Sequence, residues 1–343
     1  MTSSTLVSGR ADMQTSQGQK QALLKVSDLY ISAAADVPLI EGLSFEVGAG
    51  ETLAIVGESG CGKSLTSLAI MGLLPDQLGK HTTGRIEFEG KVLTEMPARA
   101  LQSIRGNRMA MIFQEPLTAL NPVMTVGAQI IEVLRKHRGM SKSEARAKTI
   151  SLLEQVRIPD PETRLDEYPH RLSGGMRQRV TIAMAMACEP SLIIADEPTT
   201  ALDVTVQAQI LDLLREIREQ SGQSLVMITH DLGVVRRVAE RMVVMYAGVV
   251  VESGPVADIM HAPRHPYTAG LIAARPSGSF KTDGKPLNDI PGAVPAPTAR
   301  PKGCLFSPRC TFATDVCRET RPALTETDDG RAYRCFHPIT KVA

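Results

Sequence analysis

The sequence predicts an α/β fold with a parallel sheet at its core. Short apolar runs, typical of buried parallel strands, alternate along the chain with helical patterns. Two glycine-rich stretches each lead directly into a helical pattern. This alternation favours strand–helix–strand units, in which crossover helices cover the faces of a parallel sheet.

The composition argues against several classes of protein. The chain has 343 residues, 43% of them hydrophobic and 22% charged, which is ordinary for a globular protein with a sizeable core. A net charge of +1 implies no general attraction to nucleic acid or to a membrane surface. No apolar run approaches the roughly 20 residues that span a bilayer, and the N-terminus lacks an apolar export segment. We therefore expect a cytosolic protein with reduced thiols.

Changes in composition along the chain predict three regions. Residues 1–22 are rich in Ser, Thr, Gln and Gly and should be disordered. Residues 23–258 carry the alternating strands and helices and should form the main domain, with a helical insert at about 117–180. Residues 259–343 should form a small extension, which contains four of the six cysteines.

The segment 57–64 matches the phosphate-binding pattern G-x-x-x-x-G-K-[ST]. An apolar strand pattern, 52–56, precedes it and a helical pattern, 65–74, follows it, which is the context that the motif requires. Glycines let backbone N–H groups wrap an anion, while the lysine reaches the terminal phosphates and the serine hydroxyl ligates Mg²⁺. A chance glycine-rich turn is the alternative, and the flanking elements argue against it. The predicted loop comprises Gly57, Glu58, Ser59, Gly60, Cys61, Gly62, Lys63, Ser64 and Leu65.

Further polar residues close predicted strands or open predicted helices. Each has an ordinary explanation when taken singly, because strand ends and helix starts often carry polar side chains. Their shared feature is a place directly at the end of a strand pattern or at the start of a helical one. They are Gln114 after an apolar run, Ser173, Gly174 and Gly175 before a helix, Asp196 and Glu197 after a second apolar run, then Asp203, and His230 after a third.

In this order and spacing the motifs resemble the ATPase subunits of ABC transporters. The Leu-Ser-Gly-Gly segment separates this family from other phosphate-loop proteins, and the resemblance covers roughly 23–255. Segments 111–122 and 168–179 resemble the peptide and nickel importer subfamily, and 265–268 and 290–295 are similar to its C-terminal region. Within that subfamily the chain resembles the D-type ATPase subunit of oligopeptide or dipeptide importers most. The resemblance implies a phosphate-loop NTPase fold of the ABC type, with a parallel-sheet core, an N-terminal antiparallel β subdomain and a helical insert.

The resemblance also implies roles in binding and hydrolysing ATP. The residues that bind Mg²⁺ would be Ser64, Gln114 and Asp196, and Asp196 would bind the ion through its water shell. Glu197 would polarise the attacking water as a general base, and His230 would contact the γ-phosphate.

Other matching positions imply a dimer and a base-binding residue. The resemblance implies that Ser173, Gly174 and Gly175 close on ATP held by the opposite subunit, and that Asp203 crosses the interface. Hydrolysis would therefore require a head-to-tail dimer with two nucleotides between its subunits. The family usually stacks adenine on an aromatic side chain upstream of the phosphate loop. Tyr30 is the candidate here, and a place in the strand core is the alternative.

The four C-terminal cysteines predict a metal centre. Cys304, Cys310, Cys317 and Cys335 are spaced C-x5-C-x6-C-x17-C, unlike the short C-x2-C pairs of zinc ribbons. Peptide-importer ATPases carry similar cysteines, which in some members hold a [4Fe–4S] cluster, so the resemblance favours that cluster. Zinc is the first alternative and free thiols or disulfides the second, and His337 is an alternative ligand.

The implied function is ATP-driven uptake of oligo- or dipeptides, by an ATPase on the cytoplasmic face of the plasma membrane. Implied partners are a second ABC ATPase, different rather than identical, two permease subunits and an external peptide-binding protein, with no nucleic acid. Three alternatives remain open: import of nickel or another small solute, a soluble ABC ATPase acting on DNA or ribosomes, and a redox sensor with residual ATPase. The near-neutral charge argues against the second, and Glu197 with His230 against the third.

Overall fold

The computed structural model describes residues 22–34, 37–200, 202–274 and 289–340. The predicted disordered region, 1–22, lies outside these residues except for Ala22, which begins the first strand. In the described parts of the chain, no helix is long and apolar enough to cross a membrane.

Two sheets organise the described residues. Their strands are β1 (Ala22–Ser32), β2 (Pro38–Gly48), β3 (Thr52–Val56), β4 (Thr82–Phe88), β5 (Lys91–Val92), β6 (Met109–Ile112), β7 (Leu192–Asp196), β8 (Ser224–Thr229), β9 (Arg241–Tyr246), β10 (Val249–Pro255), β11 (Thr325–Glu326) and β12 (Ala332–Tyr333). The smaller sheet is antiparallel, in the order β2-β1-β4-β5, and the larger has the order β11-β12-β10-β9-β3-β8-β7-β6. Strands β9, β3, β8, β7 and β6 run parallel, which confirms the predicted core and antiparallel subdomain.

Helices connect the parallel strands and form a separate insert. They are α1 (Lys63–Ile70), α2 (Asp76–Gly79), α3 (Ala98–Ile104), α4 (Pro116–Ala119), α5 (Val126–Arg138), α6 (Lys142–Gln155), α7 (Pro161–Arg164), α8 (Gly174–Met186), α9 (Val204–Ser221), α10 (Leu232–Val238), α11 (Val256–His261), α12 (Pro266–Ala273) and α13 (Asp315–Glu319). Helices α4 to α7 follow β6 and make up the insert. Helix α6 starts at a capping box, because Ser141 and Glu144 each accept a hydrogen bond from the other's backbone N–H.

The parallel strands end at one edge of the sheet. Every residue of β3, β7 and β8 is buried, as expected for strands covered by helices on both faces. Val56 pairs with Thr229, and Asp196 pairs with Ile228, so the carboxyl ends of the three strands are level. The loops that follow these strands therefore meet at one place.

The C-terminal extension is continuous with the larger sheet. Strand β12 pairs with β10 through Glu252 and Ser253. Phe306 packs against Tyr246 of β9 and Tyr267 of α12, with ring centroids 5.2 and 5.4 Å apart. Packing therefore runs unbroken across the boundary predicted near residue 258.

A buried ion pair anchors the extension to the sheet. The side chain of Glu252 is 0% exposed and that of Arg331 is 5% exposed, and Arg331 Nη2 donates to Glu252 Oε1 over 2.8 Å. The same carboxylate also accepts from the backbone N–H groups of Arg264 and His265, at 2.8 and 3.0 Å. Both oxygens of the carboxylate thus accept hydrogen bonds inside the protein, where an unpaired charge is costly.

We predict that Glu252→Gln lowers the free energy of unfolding by about 3–5 kcal/mol, because it leaves the Arg331 charge buried without a counter-ion. Urea denaturation followed by circular dichroism measures this. The matched control is Glu46→Gln, which breaks a pair with Lys25 that is about half exposed and should change stability much less, because solvent screens the pair. Equal effects of the two variants would contradict the anchoring role.

Candidate active site

One cleft of about 660 Å³ lies where the loops after β3, β7 and β8 meet. The phosphate-binding motif forms its floor, and the polar residues predicted at the strand ends form one wall. The predicted residues that line it are Gly57, Glu58, Ser59, Gly60, Gly62, Lys63, Ser64, Leu65, Gln114, Glu197 and His230. The structure therefore brings together residues that are up to 173 positions apart in the sequence (Gly57 to His230).

The phosphate-binding motif is packed against the sheet on one side. A Cβ atom at Gly57 would lie 2.3 Å from the carbonyl oxygen of Met245, so only glycine allows this close approach. Cys61 points inward and is 1% exposed. Helix α1 starts at Lys63, which directs its N-terminal N–H groups toward the cleft, as an anion site requires.

Lys63 is buried and bonded to the loop that it belongs to. Its Nζ donates to the carbonyl oxygens of Gly57 and Glu58, at 2.8 and 3.1 Å, and it lies 3.8 Å from Glu197 Oε1. The side chain is only 5% exposed. The ammonium group is thus held in place at the cleft by acceptors that are weaker than a phosphate oxygen.

Two oxygen donors suited to Mg²⁺ lie beside the loop. Ser64 Oγ donates to Asp196 Oδ1 over 3.3 Å, and Ser67 Oγ approaches Asp196 Oδ2 at 3.5 Å. Burial raises the pKa of Asp196, and the neighbouring charge of Glu197 raises it further, while the bond from Ser64 opposes the shift. A hydroxyl and a carboxylate at this separation fit a hard cation, whose charge would favour the ionised carboxylate.

Glu197 is the centre of the polar wall. Gln114 Nε2 donates to its Oε2 over 3.3 Å, and His230 Nδ1 lies 3.4 Å from its Oε1. Thr200 Oγ1 also donates to Oε2, over 2.9 Å. Sequence reasoning missed Thr200; its position three residues after a strand-end carboxylate, where a hydroxyl can reach back, was the available signal. Glu197 adopts φ 44°, a left-handed conformation that costs energy outside glycine.

The residues predicted to act across a dimer lie outside the cleft. Ser173 caps α8, accepting from the Met176 N–H over 3.3 Å, and Asp203 caps α9, accepting from the Val206 N–H over 2.9 Å. Ser173 and Asp203 are exposed. A Cβ atom at Gly175 would lie 2.8 Å from Val206, so glycine keeps these two helix starts close together.

Tyr30, which the resemblance makes the candidate for stacking on adenine, is not among the residues that line this cleft. Tyr30 lies on β1, where its neighbours Leu29 and Ile31 point into the core and its own ring is 46% exposed on the other face. The ring lines a second cavity, of about 290 Å³, beside Gly42 and Cys304. The register of β1 thus turns it away from the nucleotide cleft.

Four other residues line the cleft near its upper rim, and sequence reasoning missed all of them. They are Leu39, Leu271, Pro297 and Arg300. Arg300 connects the C-terminal extension to β2, because it donates to Glu41 Oε1 over 2.6 Å and to the Leu39 carbonyl over 3.0 Å. The last three belong to the C-terminal extension, whose composition carries no signal for a nucleotide site.

The four extension cysteines line one small cavity, together with Phe306 and Phe312. The Cys304 N–H donates to the Cys317 carbonyl over 2.8 Å. Burial raises the pKa of Cys335 to about 11, and the other three thiols add to the shift. Among the residues that the structure describes, no group of three His, Cys, Asp or Glu side chains is arranged to hold a single metal ion.

Comparison with known proteins identifies the family. A profile described as "ABC transporter" matches residues 40–200, and one described as "Oligopeptide/dipeptide transporter, C-terminal region" matches 251–317. The dipeptide transport ATP-binding protein DppD of Escherichia coli (strain K12) is 50% identical over 321 residues, covering 93% of this chain and 97% of that protein. This chain belongs to the ABC-transporter ATPase family.

Two further relatives support the assignment of this ABC ATPase. The oligopeptide transport ATP-binding protein AppD of Bacillus subtilis (strain 168) is 49% identical over 317 residues, covering 92% of this chain and 96% of that protein. A dimeric structure of the ATP-binding cassette MJ0796, in a post-hydrolysis state bound to ADP and Pi, aligns with a TM-score of 0.60 and 27% identity. That alignment covers 68% of this chain and 98% of the other, and it confirms the predicted ABC-type fold.

We predict that Cys61 of the native ATPase reacts slowly with maleimides. Burial raises its pKa, so at pH 7 less of it is thiolate than of a free cysteine, and little of it is accessible. Peptide mass spectrometry after brief labelling at pH 7 should show Cys61 modified at least about tenfold more slowly than in urea-unfolded protein. Equal rates in the native and unfolded states would show that the loop is open.

Proposed function

We propose that this ABC ATPase is the ATP-hydrolysing subunit of an importer that takes up oligo- or dipeptides. The observation that carries the enzymatic part is the Glu197 carboxylate, which contacts Gln114, His230 and Thr200 at the end of the phosphate-binding cleft. The transport part is supported by the match of 251–317 to the peptide-transporter C-terminal region and by the names of the relatives.

The phosphate-binding loop binds the triphosphate of ATP. Lys63 exchanges its bonds to the carbonyls of Gly57 and Glu58 for bonds to phosphate oxygens, because bonds between two charged groups are about twice as strong. Mg²⁺ would be held by Ser64, Asp196 and Gln114, and it would supply positive charge that offsets the charge of the phosphates.

Glu197 acts on the attacking water. Its carboxylate is held by Gln114 and Thr200 on one oxygen and faces Lys63 and His230 on the other. These contacts fix the orientation of the carboxylate, which a general base needs in order to align water with the γ-phosphate. His230 is 62% exposed, so it is free to reach a nucleotide that enters the cleft.

Hydrolysis takes place in a head-to-tail dimer. The exposed start of α8, with Ser173, Gly174 and Gly175, offers N–H groups to an anion but faces no nucleotide in its own subunit. A second subunit brings this helix start to the γ-phosphate of the first, and Asp203 lies at the same surface. The dimeric MJ0796 cassette supports this arrangement.

The assembly is a transporter at the membrane. We propose a different ABC ATPase as the second subunit, with an identical one as the alternative, together with two permeases and an external peptide-binding protein. The chain itself sits on the cytoplasmic face as a peripheral subunit. Closure of the ATPase pair around ATP favours one state of the permeases, and product release favours the other.

The extension cysteines hold a [4Fe–4S] cluster. Cys304, Cys310, Cys317 and Cys335 face one cavity, and thiolates are the ligands that such clusters use. The spacing C-x5-C-x6-C-x17-C differs from the short C-x2-C pairs of zinc ribbons, and this difference favours the cluster over zinc.

We predict that Glu197→Gln lowers ATP hydrolysis by at least about 100-fold while ATP binding persists, because the amide cannot accept the proton of water. Phosphate release by the assembled transporter measures the first effect. Light scattering in Mg-ATP should show the variant trapped as a dimer. The matched control is Glu189→Gln, which removes a remote, exposed carboxylate paired with Lys148 and should leave the rate unchanged. Wild-type turnover by Glu197→Gln, or failure to pair with any partner, contradicts the proposal.

We predict that anaerobically purified protein is brown, absorbs broadly near about 400 nm and contains iron and sulfide in equal amounts. Cys335→Ser should lose most of the iron, since it removes one of four ligands. Cys188→Ser is the control, because Cys188 is buried near the end of α8 and should not affect the metal content. A colourless preparation that carries one zinc ion per chain would contradict the cluster.

A further inference from the structure

The C-terminal extension reaches the phosphate-binding loop through Arg309. Its Nη1 donates to Glu58 Oε2 over 2.7 Å and its Nη2 to Glu58 Oε1 over 3.0 Å, a two-pronged pair. The Arg309 side chain is only 6% exposed. Glu58 belongs to the phosphate-binding motif and lines the cleft, so this pair joins the extension directly to the nucleotide site.

The Arg309 guanidinium is held in place by groups other than Glu58. Its Nε donates to the Pro291 carbonyl over 2.9 Å, and its Nη2 also donates to the Ile290 carbonyl over 3.0 Å. Its Cζ lies 5.7 Å from the ring centroid of Tyr246 and 6.0 Å from that of Phe306. Contacts of this kind fix the orientation of the fork before it meets a carboxylate.

Glu58 in turn sets the position of the loop. Its N–H donates to the Tyr267 hydroxyl over 2.9 Å, and its carbonyl accepts from Lys63 Nζ over 3.1 Å. Both the backbone and the side chain of Glu58 are therefore bonded to residues beyond 258. These bonds add to those that Lys63 makes to the loop, so less conformational entropy is lost when a nucleotide binds.

The Arg309–Glu58 pair also affects the charge of the phosphate-binding loop. A carboxylate in a phosphate-binding loop repels the phosphates of a nucleotide, and the repulsion is strong where water is partly excluded. Arg309 neutralises this carboxylate by pairing with both of its oxygens.

We propose that Arg309 is a positioning residue of the ATPase site, which holds the phosphate-binding loop through Glu58 and cancels its charge so that ATP can bind. The inference rests on the proposed ATPase function and assigns to the extension a part in nucleotide affinity. It predicts that loss of Arg309 weakens ATP binding mainly because the negative charge of Glu58 is then left unpaired.

The test measures ATP dissociation constants of the full-length chain by displacement of a fluorescent ATP analogue. We expect Arg309→Gln to weaken ATP binding by about tenfold or more, through the unpaired like charge at the loop. KM of the assembled transporter should rise in parallel, with a smaller change in kcat. Adding Glu58→Gln to Arg309→Gln should recover most of the lost affinity, which a merely structural role would not allow.

Two further variants separate the proposal from general damage to the extension. Asp329→Asn breaks a different ion pair of the extension, with Arg264, far from the loop, and should leave ATP affinity unchanged at a similar melting temperature. Arg309→Lys keeps the charge without the fork and should lose less affinity than Arg309→Gln. If Arg309→Gln does not fold, Arg309→Lys with and without Glu58→Gln answers the same question.

Three results would overturn the proposal: wild-type affinity in Arg309→Gln, no recovery on adding Glu58→Gln, or an equal loss in Asp329→Asn. Each can occur while the wild-type chain still hydrolyses ATP with its partners. Failure of the proposed function would instead appear as absence of hydrolysis in the wild-type assembly, so the two failures are distinguishable.

Discussion

The level carboxyl ends of the parallel strands are the constraint on which the site depends. Strand pairing sets Val56 beside Thr229 and Asp196 beside Ile228, and hydrogen bonding along the strands leaves no freedom to slide. The phosphate loop, the carboxylate pair and His230 follow these strands directly. A shift of one residue in β7 would turn Asp196 away from Ser64 and separate the two oxygens that suit Mg²⁺.

Glu197 has a strained backbone conformation and a carboxylate with several polar contacts. Its left-handed backbone would be unfavourable for an isolated residue, yet bonds from Gln114 and Thr200 and the charges of Lys63 and His230 hold it. Apart from Thr200, which lies in the same loop as Glu197, these contacts come from three other segments, so the carboxylate becomes rigid only when those segments have come together. Rigidity of this kind reduces the reorganisation that the reaction needs.

Much of the fold and most of the cleft could be predicted because their signals are local. The apolar runs of β3, β7 and β8 mark buried strands, and the motif 57–64 needs only its flanking strand and helix. The capping box at Ser141 likewise marks a helix start within four residues. The position of Tyr30 outside the cleft could not be predicted, because an alternating strand has two faces and the sequence does not say which face meets the cleft.

By itself the sequence determined the order of the strands and helices, the phosphate-binding loop and the polar residues at the strand ends, since each follows from neighbouring residues. Only the tertiary structure decided that Arg300 borders the cleft, where it pairs with Glu41, and that Arg309 pairs with Glu58. The physical reason is that these two contacts join segments more than 200 residues apart, so they depend on how the extension packs onto the sheet rather than on any local pattern.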